Sequence, residues 1–315
     1  MLVPTLFALV VVAGLVFLLS RLLTRHIMKP IDALDMAEPL DNDIYGEMVP
    51  LLQRIDDQQA QLKKQNKELA EAESMRRDFS SNVSHEMKTP LQVISGYAEL
   101  MKNDMVLPED RQKFAGLIYD EAQAMRGLIN DVLTLSKLDE SAFAREERPI
   151  DVMDVAWRMA GRLESFAADE GVSVSVQGAS AHINGSETLA EEMLYNLIEN
   201  AVRYNHAGGS VSVRVSQGAA SDDVLEALRA AGTEPNVASV VTVRVSDTGA
   251  GIPEEMRDKV FERFFRLDKS RSKETGGTGL GLAIVKHAVQ YHHGTICVEG
   301  AQGEGTTFVL RLPAA

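Results

Sequence analysis

Hydrophobic residues are concentrated at the start of the chain. Residues 2–20 carry no charged side chain and are mostly aliphatic, which is close to the roughly 20 residues that a helix needs to cross a bilayer. Arg21, Arg25 and Lys29 follow directly, and positive charge beside a membrane helix usually stays on the cytoplasmic side. A buried core helix is the alternative, but such helices rarely lack polar residues over this length. We predict a single-pass transmembrane helix at residues 1–23, in the inner (cytoplasmic) membrane, with the rest of the chain cytoplasmic.

A more polar helical pattern follows from Glu47. Apolar residues recur near a heptad seam, with Gln59 and Asn66 as polar seam positions, and this pattern is typical of helices that pair as a coiled coil. A solvated single helix is the alternative, but a charged helix with one narrow apolar stripe gains little alone. We therefore predict a coiled-coil linker at residues 24–72. The apolar seam positions are Leu52, Ile55, Leu62, Leu69, Phe79 and Val83.

The apolar stripe continues as two helical runs separated by a break from Asn103 to Pro108. This predicts a helical hairpin at residues 73–140. One hairpin leaves half of its apolar surface uncovered, so two hairpins of a symmetric homodimer would form a four-helix bundle. His85 lies two residues before Met87 of the stripe, about 200° around a helix, and we expect it to be exposed.

The last half of the chain alternates β-type and helical patterns. After a charged linker at residues 141–149, this alternation predicts an α/β sandwich domain at residues 150–315. The segment 216–238, rich in Gly, Ala, Ser and Asp, is predicted to be a surface insertion with at most a short helix. The predicted fold class is thus multidomain: a transmembrane helix, a dimeric α-helical hairpin and a C-terminal α/β sandwich. The β-type runs are 172–176, 211–215, 240–245, 295–298 and 306–312, and the helical patterns are 188–204 and 280–291.

The composition narrows the possible chemistry. The chain has 32 Lys+Arg against 46 Asp+Glu, a formal net charge of -14, and this argues against a nucleic-acid partner, which needs concentrated basic residues. With Cys297 as the one cysteine, no intramolecular disulfide can form, and no Cys/His cluster has the spacing of a structural zinc site. Any binding of phosphate groups must therefore be local.

Several polar and glycine-rich segments of the last domain suit a nucleotide. Asn196 and Asn200 lie four residues apart on one helix face, with Arg203 three residues further. Asp247 follows a predicted strand and begins an Asp-Thr-Gly-Ala-Gly segment, in which a carboxylate can accept a hydrogen bond from an exocyclic amine and glycines allow a flat base to approach. Taken singly, a solvated helix face and a plain Asp/Gly turn explain these features equally well.

Two further segments suit the phosphates of such a ligand. Residues 276–281 form a Gly-Gly-Thr-Gly-Leu-Gly run that opens a helix, whose first N–H groups can hold phosphate oxygens. Residues 261–266 lead into Lys269, Arg271 and Lys273, a polar stretch that could close over a triphosphate as a lid. A glycine pattern alone is weak evidence, so the order and spacing of all the segments matter most.

Together these segments resemble the signature boxes of two-component sensor histidine kinases, from about residue 76 to residue 313. The boxes are His85-Glu86-Met87-Lys88-Thr89-Pro90, the pair Asn196 and Asn200, and residues 247–251, 261–266 and 277–281. Residues 25–65 are similar, more loosely, to a HAMP-type signal relay. The family usually has an extracellular sensor between two membrane helices, whereas one such helix is predicted here, so the chain is either a fragment or senses through the membrane or a partner.

The resemblance implies a HisKA phosphoacceptor domain, a Bergerat-type HATPase domain, ATP and Mg²⁺ as cofactors, and a response regulator receiver domain as partner, besides the homodimer and the lipid bilayer. His85 would take the phosphoryl group from ATP and pass it to an aspartate of the regulator, with Glu86 as the base that polarises its imidazole. Thr89 would serve the reverse dephosphorylation of that regulator. Asp247 would read the adenine amine and Asn200 would ligate Mg²⁺. The other ATP-site positions are Asn196, Arg203, Tyr204, Gly249, Gly251, Phe265, Gly277, Gly279, Leu280 and Gly281.

The sequence favours a histidine kinase over two other classes of protein. A gyrase-like or chaperone-like ATP hydrolase of the same fold carries a glutamate where this chain has Asn196, because hydrolysis needs a base to activate water. A non-catalytic scaffold would need none of the catalytic residues, all of which are present. The stimulus, the partner regulator and the choice between cis and trans autophosphorylation are not determined by the sequence.

Overall fold

The computed structural model describes residues 2–25, 49–139, 148–230, 239–267 and 277–315. The chain divides into two compact units, Met1–Asp78 and Phe79–Ala315. In the first unit, helix α1 (Leu2–Leu23) forms over the apolar N-terminal stretch, with Arg21 in its last turn. Among the described residues, however, no helix is long and apolar enough to span a membrane. The predicted transmembrane helix is therefore not confirmed, and residues 26–48 of the predicted linker lie outside the described residues.

The predicted hairpin is present. Helix α2 (Val49–Lys102) continues through Pro90, although a proline inside a helix removes one backbone hydrogen bond. A 3-10 turn (Pro108–Asp110) leads into helix α3 (Arg111–Asp139). The rings of Tyr97 and Phe114 meet edge to face at 5.2 Å near the turn, in the favoured geometry for aromatic pairs. The break predicted between Asn103 and Pro108 is thus confirmed.

The C-terminal domain is an α/β sandwich, as predicted. Its main sheet has the order β2-β4-β5-β7-β6, in which β2 and β4 are parallel and the other pairs antiparallel. The strands of this sheet are β2 (Ser173–Gly178), β4 (Ser210–Ala219), β5 (Ser239–Asp247), β6 (Thr295–Gly300) and β7 (Thr306–Pro313). The helices are α4 (Val152–Arg162), α5 (Glu164–Asp169), α6 (Glu187–Arg203), α7 (Asp222–Ala230) and α8 (Gly281–Tyr291).

The core of this domain lies between the sheet and the helices α4, α6 and α8. Alternate residues of β4 and β5 are buried valines, and Leu189, Met193 and Leu197 of α6 pack in the same core. Alternation along a strand and a three-to-four spacing along a helix bring these side chains to one layer. The opposite side of the C-terminal half of α6 is left for polar residues.

The sequence patterns did not predict the first elements of this domain. Strand β1 (Arg148–Asp151) pairs antiparallel with β3 (His182–Gly185), and β1 starts inside the predicted 141–149 linker. Both strands have four residues, too few for a reliable period. Helices α4 and α5 were also missed. The insertion predicted at 216–238 starts too early, because residues 216–219 belong to β4 and pair with β5. The short helix expected there is α7, with nine residues. Residues 140–147 and 231–238 lie outside the described residues.

Candidate functional site

A cavity of about 770 Å³ opens beside the C-terminal turn of α6 and the end of β5. This volume falls within the range of small-molecule sites. Asn200, Arg203 and Tyr204 contribute from α6 and its C-cap, and Phe265 contributes from the segment that follows the 3-10 turn Lys259–Phe261. Residues 247–252 form another part of the wall, and the other lining residues are Ala201, Asn205, His206, Val260, Arg266, Leu267, Leu282, Gly303, Thr306 and Phe308.

Asp247 is held rigidly at this cavity. Its Oδ1 accepts hydrogen bonds from the N–H groups of Gly249, at 2.8 Å, and Thr306, at 3.2 Å. Burial raises the pKa of the Asp247 carboxyl, and the two backbone donors oppose that shift. A side-chain oxygen fixed by backbone donors in a cavity wall can select a ligand that carries a hydrogen-bond donor.

Gly249 and Gly251 are needed for the shape of this wall. A Cβ atom on Gly249 would lie 2.5 Å from the backbone oxygen of Tyr204 and 2.9 Å from Oδ1 of Asp247. Gly251 has φ +71°, and its Cβ would lie 2.2 Å from the oxygen of Ala301. Glycine is therefore required at both positions by close approach of backbone, and at Gly251 also by conformation.

The two asparagines of α6 have different surroundings. Asn200 is half-buried and lines the cavity, and Arg203 pairs with Glu199 at 2.7 Å on the same helix. Asn196 is buried, donates its amide to the Glu192 carbonyl at 2.8 Å, and lies against Gly281. Asn196 therefore contributes to packing, because its Oδ1 occupies the space beside Gly281, where a Cβ atom would lie 2.5 Å away.

The glycine-rich loop of residues 277–281 lies on the hairpin side of the domain. Among the described residues, no member of this loop lines the cavity. Leu280 is fully buried and packs with Leu128 and Leu135 of α3, and its place at the ATP site stays a prediction. The Thr278 hydroxyl donates to Asp131 of α3 at 2.8 Å. Gly276, Lys269, Arg271 and Lys273 lie outside the described residues.

The segment 263–266 also meets the hairpin. Phe264 has φ +61°, its N–H donates to the Gly279 carbonyl at 2.8 Å, and its ring lies 5.8 Å from that of Phe79. Arg266 donates to the Gly277 carbonyl and also approaches Glu86, with 3.5 Å between Nη2 and Oε2. The predicted lid sequence is thus bonded to the glycine loop and to α2.

His85 is exposed, as its position off the apolar stripe predicted, with 79% of its side chain accessible. Its Nδ1 lies 3.8 Å from Oε1 of Glu86, so the carboxylate is nearest to that ring nitrogen. The Thr89 hydroxyl donates to the His85 backbone carbonyl at 3.4 Å. These three residues form one exposed polar group on α2.

The site also includes residues that sequence reasoning did not name. Thr306 fixes Asp247, and Leu282 and Phe308 give the cavity apolar walls. Their contribution depends on how β7 and α8 pack beside β5, for which no local pattern exists. The same holds for Asp131, which is 147 residues from Thr278 in the chain.

The donor set fits a magnesium ion that enters with a nucleotide. Within the described ranges, no group of three or more His, Cys, Asp or Glu side chains could hold a metal by itself. Mg²⁺ commonly binds through one or two protein oxygens and the phosphates of its substrate. The amide oxygen of Asn200, at the cavity wall, is a ligand of that type.

Both domains match known protein families. Residues 75–141 match the His Kinase A (phospho-acceptor) domain, and residues 185–315 match the family described as histidine kinase-, DNA gyrase B- and HSP90-like ATPase. The sensor-like histidine kinase SenX3 of Mycolicibacterium smegmatis is 34% identical over 247 residues, which cover 78% of this chain and 59% of SenX3. The chain therefore spans little more than half the length of this relative.

Two solved structures share the fold. Full-length ShkA in complex with AMPPNP has a TM-score of 0.52 and 27% identity, covering 75% of this chain and 45% of that chain. The histidine kinase ThkA in complex with the response regulator protein TrrA has a TM-score of 0.57 and 19% identity, covering 80% of this chain and 66% of that chain. At 19% identity, the likeness to ThkA is one of fold.

Proposed function

We propose a function from the premise that this chain belongs to the two-component sensor histidine kinases. In this proposal the chain uses ATP to phosphorylate its own His85 and passes the phosphoryl group to an aspartate of a response regulator. The observation that carries it is an exposed His85 beside Glu86 in a chain whose cavity wall contains a fixed carboxylate, Asp247. An acceptor without a nucleotide cavity, or a cavity without an acceptor, would not support this reaction.

The geometry at His85 suggests how the transfer proceeds. Nδ1 faces Glu86, so a proton on Nδ1 is stabilised by the carboxylate and Nε2 carries the free electron pair. Nε2 forms the bond to the γ-phosphorus while the bond from phosphorus to the ADP oxygen breaks. The other oxygen of Glu86 lies 3.5 Å from Nη2 of Arg266, so the same carboxylate faces both side chains.

The cavity residues are proposed to bind the nucleotide. Asp247 would accept the adenine amine, with Gly249 and Gly251 leaving room for the base. Asn200 would hold Mg²⁺, which when bound supplies neutralisation of the phosphate charge. Arg203, Tyr204 and Phe265 would contact the rest of the nucleotide, whereas Asn196 supports Gly281 from beneath. The glycines 277, 279 and 281 would reach the phosphates after the loop moves from its place on the hairpin.

A homodimer and a response regulator are the proposed partners. Leu91, Tyr119 and Leu133 of the hairpin helices are more than half exposed in the single chain, and apolar side chains at this density favour pairing of two hairpins. ThkA, which shares the fold, forms a complex with the response regulator TrrA. By analogy, the receiver domain would dock near His85.

The membrane anchor remains a proposal from the sequence. Residues 2–20 are uncharged and Arg21 follows them, which suits one span of the inner membrane with the kinase on the cytoplasmic side. Cell fractionation tests it: the full chain should sediment with membranes, and deletion of residues 2–20 should release it. Recovery of the full chain without membranes would contradict the anchor.

The central test uses the full chain, Mg²⁺ and ATP labelled at the γ-phosphate. Wild type should gain an acid-labile, base-stable label, which is the signature of phosphohistidine. His85→Gln should abolish the label and leave nucleotide affinity nearly intact, because the acceptor and the cavity lie in different domains. His182→Gln, at an exposed position of β3, is the matched control and should label normally.

Each alternative gives a different result in that experiment. Release of free phosphate without labelled protein would indicate a hydrolase. Nucleotide binding with neither product would indicate a scaffold. Label retained at the wild-type rate in His85→Gln would show that another residue is the acceptor.

A further inference from the structure

A partly buried polar contact joins the glycine-rich loop to the second hairpin helix. Thr278 donates its hydroxyl proton to Oδ2 of Asp131 at 2.8 Å, and the same hydroxyl accepts the N–H of Leu280 at 3.2 Å. Around this pair, Leu280 and Ile284 pack on Leu128 and Leu135, and all four are buried. The start of α8 is therefore attached to α3 by this apolar cluster and by a partly buried hydrogen bond.

The contact keeps the loop from the cavity. The Leu280 N–H, at the start of α8, is a donor that a phosphate oxygen would use, and here it is bonded to Thr278. The Thr278 hydroxyl is in turn oriented by Asp131. Arg266, which lines the cavity, is bonded to the Gly277 carbonyl and lies near Glu86. Two groups suited to phosphate, the Leu280 N–H and the Arg266 guanidinium, are thus bonded to other groups.

We propose that Asp131 is a positioning residue that holds the loop of residues 277–281 on the hairpin, so that nucleotide binding and docking of this loop compete. The inference rests on the proposed nucleotide-binding function. A nucleotide that recruits the loop must break the bond between Thr278 and Asp131. Conversely, any change that strengthens this bond weakens nucleotide binding by up to the same factor, because loop docking and nucleotide binding compete.

Protonation of Asp131 gives this competition a measurable signature. Burial raises the pKa of the Asp131 carboxyl to about 6, the Thr278 hydrogen bond opposes the shift, and the charges of Glu192 and Glu199 on α6 add to it. Once the loop leaves, Asp131 becomes exposed and its pKa should return toward the ordinary 3.8. The docked arrangement therefore binds the proton more tightly, gains as the pH falls, and loses that gain as the pH rises through about 6.

The expected size follows from these two pKa values. Relative to pH 8, docking is favoured by about twofold at pH 6 and by about tenfold at pH 5. Nucleotide affinity of the full chain should fall by up to the same factors. Asp131→Asn keeps an oxygen that can accept from Thr278 but cannot ionise, so it should bind nucleotide more weakly than wild type at pH 8 and lack this component of the pH profile.

The experiment measures Mg-ATP affinity of the full chain from pH 5 to pH 8 for wild type, Asp131→Asn and Asp120→Asn. Asp120 lies exposed on the same helix α3, so its variant controls for loss of one charge and should follow wild type. Titration of ATP and of other side chains is common to all three proteins and cancels in the comparison. Hydrogen exchange at residues 128–135, measured with and without nucleotide at pH 8, reports the docking itself and should rise on binding.

The outcomes distinguish the role of Asp131 from the proposed kinase function. A pH profile that differs between wild type and Asp131→Asn, with increased exchange at residues 128–135, supports the competition. Nucleotide binding with identical profiles, or with unchanged exchange in α3, overturns the role of Asp131 and leaves the proposed kinase function standing. Failure of all three proteins to bind Mg-ATP overturns the proposed function itself.

Discussion

Gly249→Ala tests whether the close contact between Asp247 and the end of α6 forms the nucleotide cavity. The new Cβ would lie 2.5 Å from the Tyr204 backbone oxygen, 2.9 Å from Oδ1 of Asp247 and 3.3 Å from the Tyr204 carbonyl carbon. None of these atoms belongs to a flexible side-chain end except the carboxylate, which is itself fixed by two backbone donors. The backbone at residues 247–249 must therefore move away from α6.

The magnitude follows from that displacement. Overpacking of this kind costs about 1–3 kcal/mol, which corresponds to a fall of roughly 2–12 °C in Tm for a domain of this size. If the same free energy is lost from adenine binding, nucleotide affinity falls by about 5- to 150-fold, at 1.4 kcal/mol for each factor of ten. The assays are thermal unfolding without ligand and titration with Mg-ATP.

Gly218→Ala is the matched control. A Cβ on Gly218 of β4 would meet nothing within 4 Å, so the same substitution there should leave Tm and affinity within error, or raise Tm slightly by restricting the unfolded chain. Equal Tm and equal nucleotide affinity in the two variants would refute the reasoning, because the clash at Gly249 would then be relieved without moving Asp247.

The remaining predictions concern acid stability, metal binding and the reverse reaction. Burial lowers the pKa of His292, whose Nε2 accepts the Ser186 N–H and whose Nδ1 donates to the Ala288 carbonyl. The stability that the neutral ring contributes is therefore present above its ordinary pKa of 6.5 and is lost as the pH falls below it. Tm measured from pH 8 to pH 5 should fall more steeply in wild type than in His292→Gln, and parallel curves would contradict this. Asn200→Ala should weaken Mg-ATP binding and autophosphorylation at least several-fold by removing a hard oxygen ligand, whereas unchanged values would exclude Asn200 as a metal ligand. Thr89→Ala should keep autophosphorylation and phosphotransfer but lose most phosphatase activity toward the regulator, since a hydroxyl can orient the attacking water; equal decay of phospho-regulator with both proteins in the presence of ADP would leave Thr89 a structural residue.

The elements that the sequence predicted are those with long or repeated local signals. The two hairpin helices carry an apolar stripe over many turns, and their break at Asn103 to Pro108 lacks that stripe, so both could be read directly. The strands β4, β5 and β7 alternate valine and leucine with polar residues because one side faces the core. By contrast, the four-residue strands β1 and β3 are fixed by pairing with each other, which has no local pattern.

The site residues also fall into those that the sequence indicated and those that tertiary packing decided. Residue type and spacing indicated Asp247, Asn200 and the glycines after Asp247 as residues that suit a nucleotide, and the resemblance to histidine kinases supplied their expected roles. Packing decides which of these side chains reach the cavity. Asn196 lies against Gly281, and Leu280 is buried against α3. The bond between Thr278 and Asp131 joins residues 147 positions apart. Only the tertiary structure could bring these two together, since the burial that gives their contact its strength arises from the docking of one domain on the other.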